Sequence, residues 1–181
     1  MQSNKIYPII GILRFVVVLL LITLPASSSS AADLEDFEGI DTPTLLLEDL
    51  GGRSHTLEDY RGQVVLVNFW ASWCAPCIVE MPSMQRLKQT MTGRPFSILA
   101  VNVKESKGTI WKFLNKVKVD FTLLRDSDGQ VAKDWQVNVY PASYLIDPTG
   151  KIRYVAYGPR QWDSPEIVQL IEELLGHVDQ P

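Results

Sequence analysis

The stretch Val64 to Trp70 reads VVLVNFW, a run without charge, rich in β-branched and aromatic side chains and too short for a helix. That combination predicts a strand buried on both faces, and such a strand requires a layered fold with helices on either side of a sheet. The neighbouring pattern agrees. Cys74 to Met91 reads as a helix, Ser97 to Val103 (SILAVNV) as a second buried strand, Thr109 to Val117 as a second helix opened by the Ser106 region, and Phe121 to Leu124 as a short strand. Asp126 to Gly129 reads as a turn and Val131 to Trp135 as a short helix. Ala142 to Ile146 and Lys151 to Tyr157 form a hairpin about Asp147-Pro148-Thr149-Gly150, and Ser164 caps a last helix running to Leu175 before Gly176. Upstream, Leu45 to Leu47 and Arg53 to His55 flank Gly51-Gly52 as a small hairpin, and Thr56 caps a helical turn over Leu57 to Tyr60. The fold class is α/β.

The first 32 residues contain no acid, and Ile6 to Leu24 is almost continuously apolar. As a single span it is broken by Pro8, Gly11 and Arg14, and an arginine near a bilayer centre costs about 2.5 to 3.5 kcal/mol. Divided at Arg14, the segment becomes a basic start with Lys5 and Arg14, an apolar stretch from Phe15 to Leu24 and a small-residue stretch ending Ser30-Ala31-Ala32. Two readings of residues 1–32 stand: a secretory signal peptide cleaved before Asp33, or an uncleaved membrane anchor with Ser27 to Ser30 as linker. Both export the remainder, to the periplasm or the extracytoplasmic face of the membrane. No cysteine ends the apolar run, so a lipoprotein anchor has no acceptor. Residues 33–41 are acidic and patternless, a flexible lead-in, and 42–181 form one domain. The 17 Lys and Arg face 21 Asp and Glu, a net charge of −4 that falls to −6 without Lys5 and Arg14. Such a balance speaks against a sequence-independent nucleic-acid binder. A monomer is expected.

Only two cysteines are present, and both belong to Trp73-Cys74-Ala75-Pro76-Cys77, where the buried strand gives way to a helix. A thiol at the first helical turn meets unpaired backbone N–H groups and the positive end of the helix dipole, which lower its pKa from about 8.5 to between about 3.5 and 7.5. Cys74 is therefore the expected attacking thiol. Cys77, one turn deeper, is the expected resolving one. A plain structural disulfide would close too short a loop to remove much unfolded-state entropy. Half of a zinc site would need His55 and His177 to complete it, and each of these reads as an ordinary surface residue. A pair of thiolates holding Cu(I) for delivery is a further alternative, without added Met or His ligands near the motif.

The segment Asn68 to Pro82, NFWASWCAPCIVEMP, resembles the active-site region of thioredoxin-fold proteins, in particular the exported TlpA-like thiol-disulfide oxidoreductases. The similarity extends through Thr56 to Gly62 (TLEDYRG) and Tyr140 to Lys151 (YPASYLIDPTGK). It implies a thioredoxin fold with an N-terminal β-hairpin extension and a central insertion around Thr109 to Trp135. It also implies that Pro141 is a cis-proline against the active-site disulfide, and an X-Pro bond is the one common place for cis geometry. Val139 and Ala142 stand where members of the family usually carry a glycine and a threonine, with Tyr140 between, so the border of the substrate groove departs from the family pattern. The implied activity is exchange with protein thiols and disulfides, most simply as a reductase, for which cytochrome c maturation is one setting. An oxidase or isomerase of secreted proteins is the alternative within the redox class. No cofactor is required. Electrons would come from a membrane redox donor protein, since nothing resembles a flavin or nicotinamide site.

Glu80 is the third candidate catalytic residue. At 100° per residue it falls within the arc of about 80° spanned by Cys77, Met84, Met91 and Leu87, which is the apolar side of the predicted helix. Two readings follow, a solvated helix charge or a partly buried carboxylate of raised pKa that accepts the Cys77 proton, and the resemblance supports an acid here. Pro82 would kink the helix and blur the projection. Trp70 and Trp73 flank the motif as core residues first and a substrate platform second, so Trp73, Pro76, Tyr140 and Pro141 form the expected groove. Trp111, Trp135 and Trp162 are expected to pack in the core.

Overall fold

The computed structural model describes residues 34–37 and 41–176, so the signal or anchor segment, the expected cleavage point and His177 lie outside the described residues. Its strands are β1 (Glu35–Asp36), β2 (Leu46–Asp49), β3 (Ser54–Thr56), β4 (Val64–Trp70), β5 (Phe96–Val103), β6 (Thr122–Asp126), β7 (Ala142–Ile146) and β8 (Ile152–Tyr157). Its helices are α1 (Ala75–Thr90), α2 (Lys107–Leu114), α3 (Gln130–Asp134) and α4 (Pro165–Gly176), with a 3₁₀ turn at Leu57–Tyr60. One sheet takes all eight strands in the order β1-β8-β7-β4-β5-β6-β2-β3. The three strands β4, β5 and β6 run parallel, joined by α1 and then α2, while β7, β8 and the hairpin β2–β3 are antiparallel additions.

The central position of β4 follows from its sequence. Every one of its residues is buried, as a strand flanked on both edges and covered on both faces must be. Alternation then sorts its side chains: Val64, Leu66 and Trp70 face a core built with α1, α2 and α4, whereas Val65, Val67 and Phe69 face a second core closed by Trp135 and the segment around Leu45 and Leu57. In that second core Phe69, Trp135 and Tyr144 lie 5.1 to 5.9 Å apart between ring centroids, in tilted and edge-on contact. The Tyr144 hydroxyl donates to the Trp135 carbonyl at 2.7 Å, so its polar tip is not left unpaired.

The hairpin β2–β3 and the stretch α2-β6-α3 occupy the places expected for the N-terminal extension and the central insertion, and β6 extends the parallel part of the sheet. Gly52 takes φ +91° at the β2–β3 turn, a conformation other residues rarely adopt. Four local expectations are corrected. Part of the lead-in is strand, because Glu35 and Asp36 pair with Val155 and Tyr154 at the free edge of β8. Asp126 ends β6 instead of starting a turn: its buried carboxylate accepts the N–H groups of Ala132 (2.8 Å) and Val131 (3.4 Å) and so stands in for a cap on α3. His55 is buried, bridging the Tyr60 hydroxyl (2.7 Å) and Asp49 (3.1 Å) to pin the hairpin to the 3₁₀ turn. Trp111 is 54% exposed rather than packed, because Ile110 and Phe113 already fill the inner face of α2.

The two cores set a stability contrast. Leu99→Ala, at a fully buried site, should destabilise by about 2 to 5 kcal/mol, and Leu46→Ala, on exposed β2, by no more than about 0.5 kcal/mol, as read by urea unfolding. Equal losses would contradict the burial assigned to these strands.

Candidate active site

β4 ends at Trp70, and after three intervening residues Cys74 is the N-cap of α1 with extended backbone (φ −83°, ψ 98°). Its sulfur accepts the N–H of Cys77 at 3.3 Å, one of the donors that a helix start leaves unpaired. Pro76 sits in the first turn, where a missing N–H is harmless. Cys74 and Cys77 are joined in a disulfide, with Cα atoms 5.3 Å apart. Cys74 is 4% exposed and Cys77 0%, so the accessible edge of the pair belongs to Cys74. That asymmetry has the expected sense, but Cys74 is much less open than a bare strand-end position suggests. Around it the exposed surface is supplied by Trp73, Ala75, Pro76 and Val79.

Trp73 is 69% exposed and meets Tyr140 edge-on, with ring centroids 5.8 Å apart. Tyr140 precedes Pro141 through a cis peptide bond, and the Pro141 carbonyl accepts the N–H of Gly158 at 2.8 Å. The loop before Cys74 is anchored from the other side. Glu105 accepts the Ser72 N–H at 2.7 Å and its hydroxyl at 2.6 Å, together with the Asn102 amide at 2.7 Å.

Glu80 is only 2% exposed, which excludes the solvated-charge reading. α1 runs through Pro82 without interruption, so Glu80 keeps its place one turn beyond Cys77 and faces inward with it. Three donors meet its carboxylate: Asn68 Nδ2 at 2.8 Å, the Arg160 N–H at 3.1 Å and Trp162 Nε1 at 3.0 Å. Asn68 also donates to the Ser143 hydroxyl at 2.9 Å, tying the group to β7. Removal from water pushes the Glu80 pKa up to about 7, although the bonds from Trp162, Asn68 and Arg160 favour the charged form and oppose the shift.

Trp162 therefore does more than pack. A polar asparagine inside the otherwise apolar run VVLVNFW was the available signal for this network, since a buried amide must find partners. Nothing local pointed to Glu105 or to the Arg160 backbone. Among the described residues no three His, Cys, Asp or Glu side chains converge as metal ligands, and His55 is committed to Asp49 and Tyr60.

The buried carboxylate has a signature in the pH dependence of folding. Between about pH 4.5 and about pH 7 the folded protein keeps a proton on Glu80 that the unfolded chain releases. Stability contributed by this group is thus complete below that window and falls as pH rises through it, by a total on the order of 3 kcal/mol. Glu80→Gln, which cannot ionise, should lack this decline. Denaturant titrations of the oxidised protein across the window decide the matter, and parallel curves for parent and variant would reject a raised pKa.

Residues 39–155 match the AhpC/TSA family. The chain is 40% identical over 120 residues to the thiol-disulfide oxidoreductase ResA of Geobacillus thermodenitrificans, covering 66% of this chain and 69% of that one. It is 38% identical over 121 residues to ResA of Bacillus subtilis, covering 67% and 68%. A crystal structure from Chlorobium tepidum, named as a thiol:disulfide interchange protein DsbE, aligns with a TM-score of 0.70 at 34% identity over 79% of this chain and 99% of its own. With its thioredoxin-like fold and a disulfide at the start of α1, the chain belongs to the AhpC/TSA family and, within it, to the thiol-disulfide oxidoreductases of the ResA and TlpA type.

Proposed function

We propose that this protein is a protein-disulfide reductase acting outside the cytoplasm, with Cys74 as nucleophile, Cys77 as resolving thiol and Glu80 as proton acceptor. The observation that carries the reading is a buried carboxylate of near-neutral pKa one helical turn from the more buried sulfur.

In the reduced protein the Cys74 thiolate attacks one sulfur of the client disulfide, forming a mixed disulfide and releasing the client's other sulfur as a thiolate. Cys77 then passes its proton to Glu80 and attacks the Cys74 sulfur. The bond to the client breaks, the second client thiolate leaves and takes up a proton, and the Cys74–Cys77 disulfide remains. Two electrons have moved from the dithiol to the client. A group ionising near neutrality can take the proton of a buried thiol and give it up again, and a fully solvated carboxylate could not. Trp73, Pro76, Tyr140 and Pro141 border the client's approach.

The direction of electron flow is supported by what surrounds the nucleophile. Ala75 and Pro76 bring no polar side chain, Pro76 brings no N–H, and no basic residue lies within four positions of Cys74. A thiolate with few donors is less stabilised, which makes the dithiol a better electron source. Export, with residues 1–32 as signal or anchor, places the work in an oxidising compartment, where a membrane redox donor protein keeps the dithiol reduced. Maturation of c-type cytochromes is the setting proposed for it.

Equilibration against a glutathione redox series should give a potential near the thioredoxin value of about −270 mV, and one near the about −120 mV of the strongest oxidants would make the protein an oxidase. In the reduced protein, Cys74 should be alkylated much faster than Cys77. Cys77→Ala should accumulate a mixed disulfide through Cys74, whereas Cys74→Ala should accumulate none; equal trapping by both would overturn the division of roles.

A further inference from the structure

α2 and the turn that follows it carry an unusual concentration of positive charge. Residues 106–119 contain four lysines, Lys107, Lys112, Lys116 and Lys118, and no acid, in a chain whose net charge is −4. Lys112 and Lys116 are exposed, one helical turn apart, and neither forms an ion pair with any acid among the described residues. They rim a cleft of about 290 Å³ between α1 and α2 whose apolar floor is Ile78, Phe113 and Val117. Ser72 and Thr109 complete the lining, so the cleft opens beside the turn that precedes the disulfide.

Among the described residues the facing helix brings no exposed acid to the two lysines. Between Trp70 and Arg86 the only charged residue is Glu80, which is buried. Of the acids that bracket the basic stretch, Asp120 pairs with Lys88 and Gln85, while Glu105 is held behind the cleft wall by Ser72 and Asn102 and forms no ion pair with either lysine. A cationic rim without ion-pair partners, over an apolar floor, attracts a ligand that is anionic at one point and apolar at the next. A concave cleft of this size fits side chains of a polypeptide and would stay unfilled against a flat bilayer.

We propose that the α1–α2 cleft docks an acidic segment of the client polypeptide, a client carboxylate pairing with Lys112 and Lys116 while an adjacent apolar side chain enters between Ile78, Phe113 and Val117. This sets which disulfides are presented to Cys74, and it rests on the reductase reading above. Charge at the rim of such a surface acts chiefly on the rate of productive encounter and weakens with salt.

The test uses two synthetic peptides, each closed by one internal disulfide and identical except that Glu-Leu-Glu or Lys-Leu-Lys flanks one cysteine. Rates of reduction by the reduced protein are divided by the rate for hydroxyethyl disulfide, a neutral small disulfide, in the same preparation. The acidic peptide should be reduced about tenfold faster than the basic one at low salt, and the preference should shrink at high salt. The double variant Lys112→Glu, Lys116→Glu should abolish or reverse it. Lys151→Glu, an exposed site in the β7–β8 turn with one lysine likewise reversed, should retain it.

Equal rates for both peptides, or a preference that the double variant keeps, would overturn the docking site while leaving the reductase reading intact. Failure to reduce hydroxyethyl disulfide and both peptides would overturn the reductase reading and the docking site with it. No peptide preference, together with binding to phosphatidylglycerol vesicles that the double variant loses, would assign the basic face to a membrane surface instead.

Discussion

A carboxylate removed from water must be met by donors or lose its charge, and the arrangement around Glu80 balances between these outcomes. Its three donors come from different parts of the chain: Asn68 from the centre of β4, the Arg160 N–H and the Trp162 indole from the segment that leads into α4. Ser83 reinforces the same junction, its hydroxyl donating to the Glu80 carbonyl at 2.7 Å and accepting the Trp162 N–H at 3.1 Å. Satisfying one acid therefore fixes the central strand, the active-site helix and the entry to the last helix relative to each other. Removing any donor would leave the acid less charged or the packing less defined.

The disulfide depends on a second boundary condition, the end of a buried strand. β4 can be wholly apolar only because it is covered on both sides, and when it emerges at Ala71 the chain has three residues in which to turn and begin α1. Glu105 holds that turn through Ser72, and the sulfur of Cys74 replaces the usual oxygen as the N-cap acceptor. A sulfur in that position holds the Cys77 N–H yet is largely covered, so its accessible part is a narrow edge beside the exposed Trp73 and Pro76.

Much of this was legible in the sequence because it depends on local chemistry. The run VVLVNFW allows little but a central strand, the cysteine spacing with an intervening proline marks a helix start, and Glu80 falls on the apolar arc of that helix by arithmetic alone. The cis bond before Pro141 came from resemblance together with the rarity of other cis sites. What stayed hidden depended on partners distant in the chain. His55 looks like a surface residue until the hairpin folds onto Tyr60. Trp162 looks like filler until its indole is found opposite a residue 82 positions earlier. Trp111 shows the reverse failure: a large aromatic was assigned to the core by type, although α2 has room for only one inner face.

The alternation of β4 divides labour between the two faces of the sheet. Asn68 shares its parity with Val64, Leu66 and Trp70, so the one polar side chain of the strand projects toward α1, where both cysteines and Glu80 also lie. The opposite parity, Val65, Val67 and Phe69, meets the aromatic group of Trp135 and Tyr144, which holds none of the proposed reacting residues. A one-residue slip of β4 would exchange these sets, burying Asn68 among the aromatics and depriving Glu80 of a donor. The pairing of Asn68 with Ala100 on one side and Ser143 on the other prevents that slip, and Ser143 does so with a hydroxyl that the same asparagine amide requires as an acceptor. The same side chain thus serves both the register of the central strand and the hydrogen bonding of the proposed acceptor.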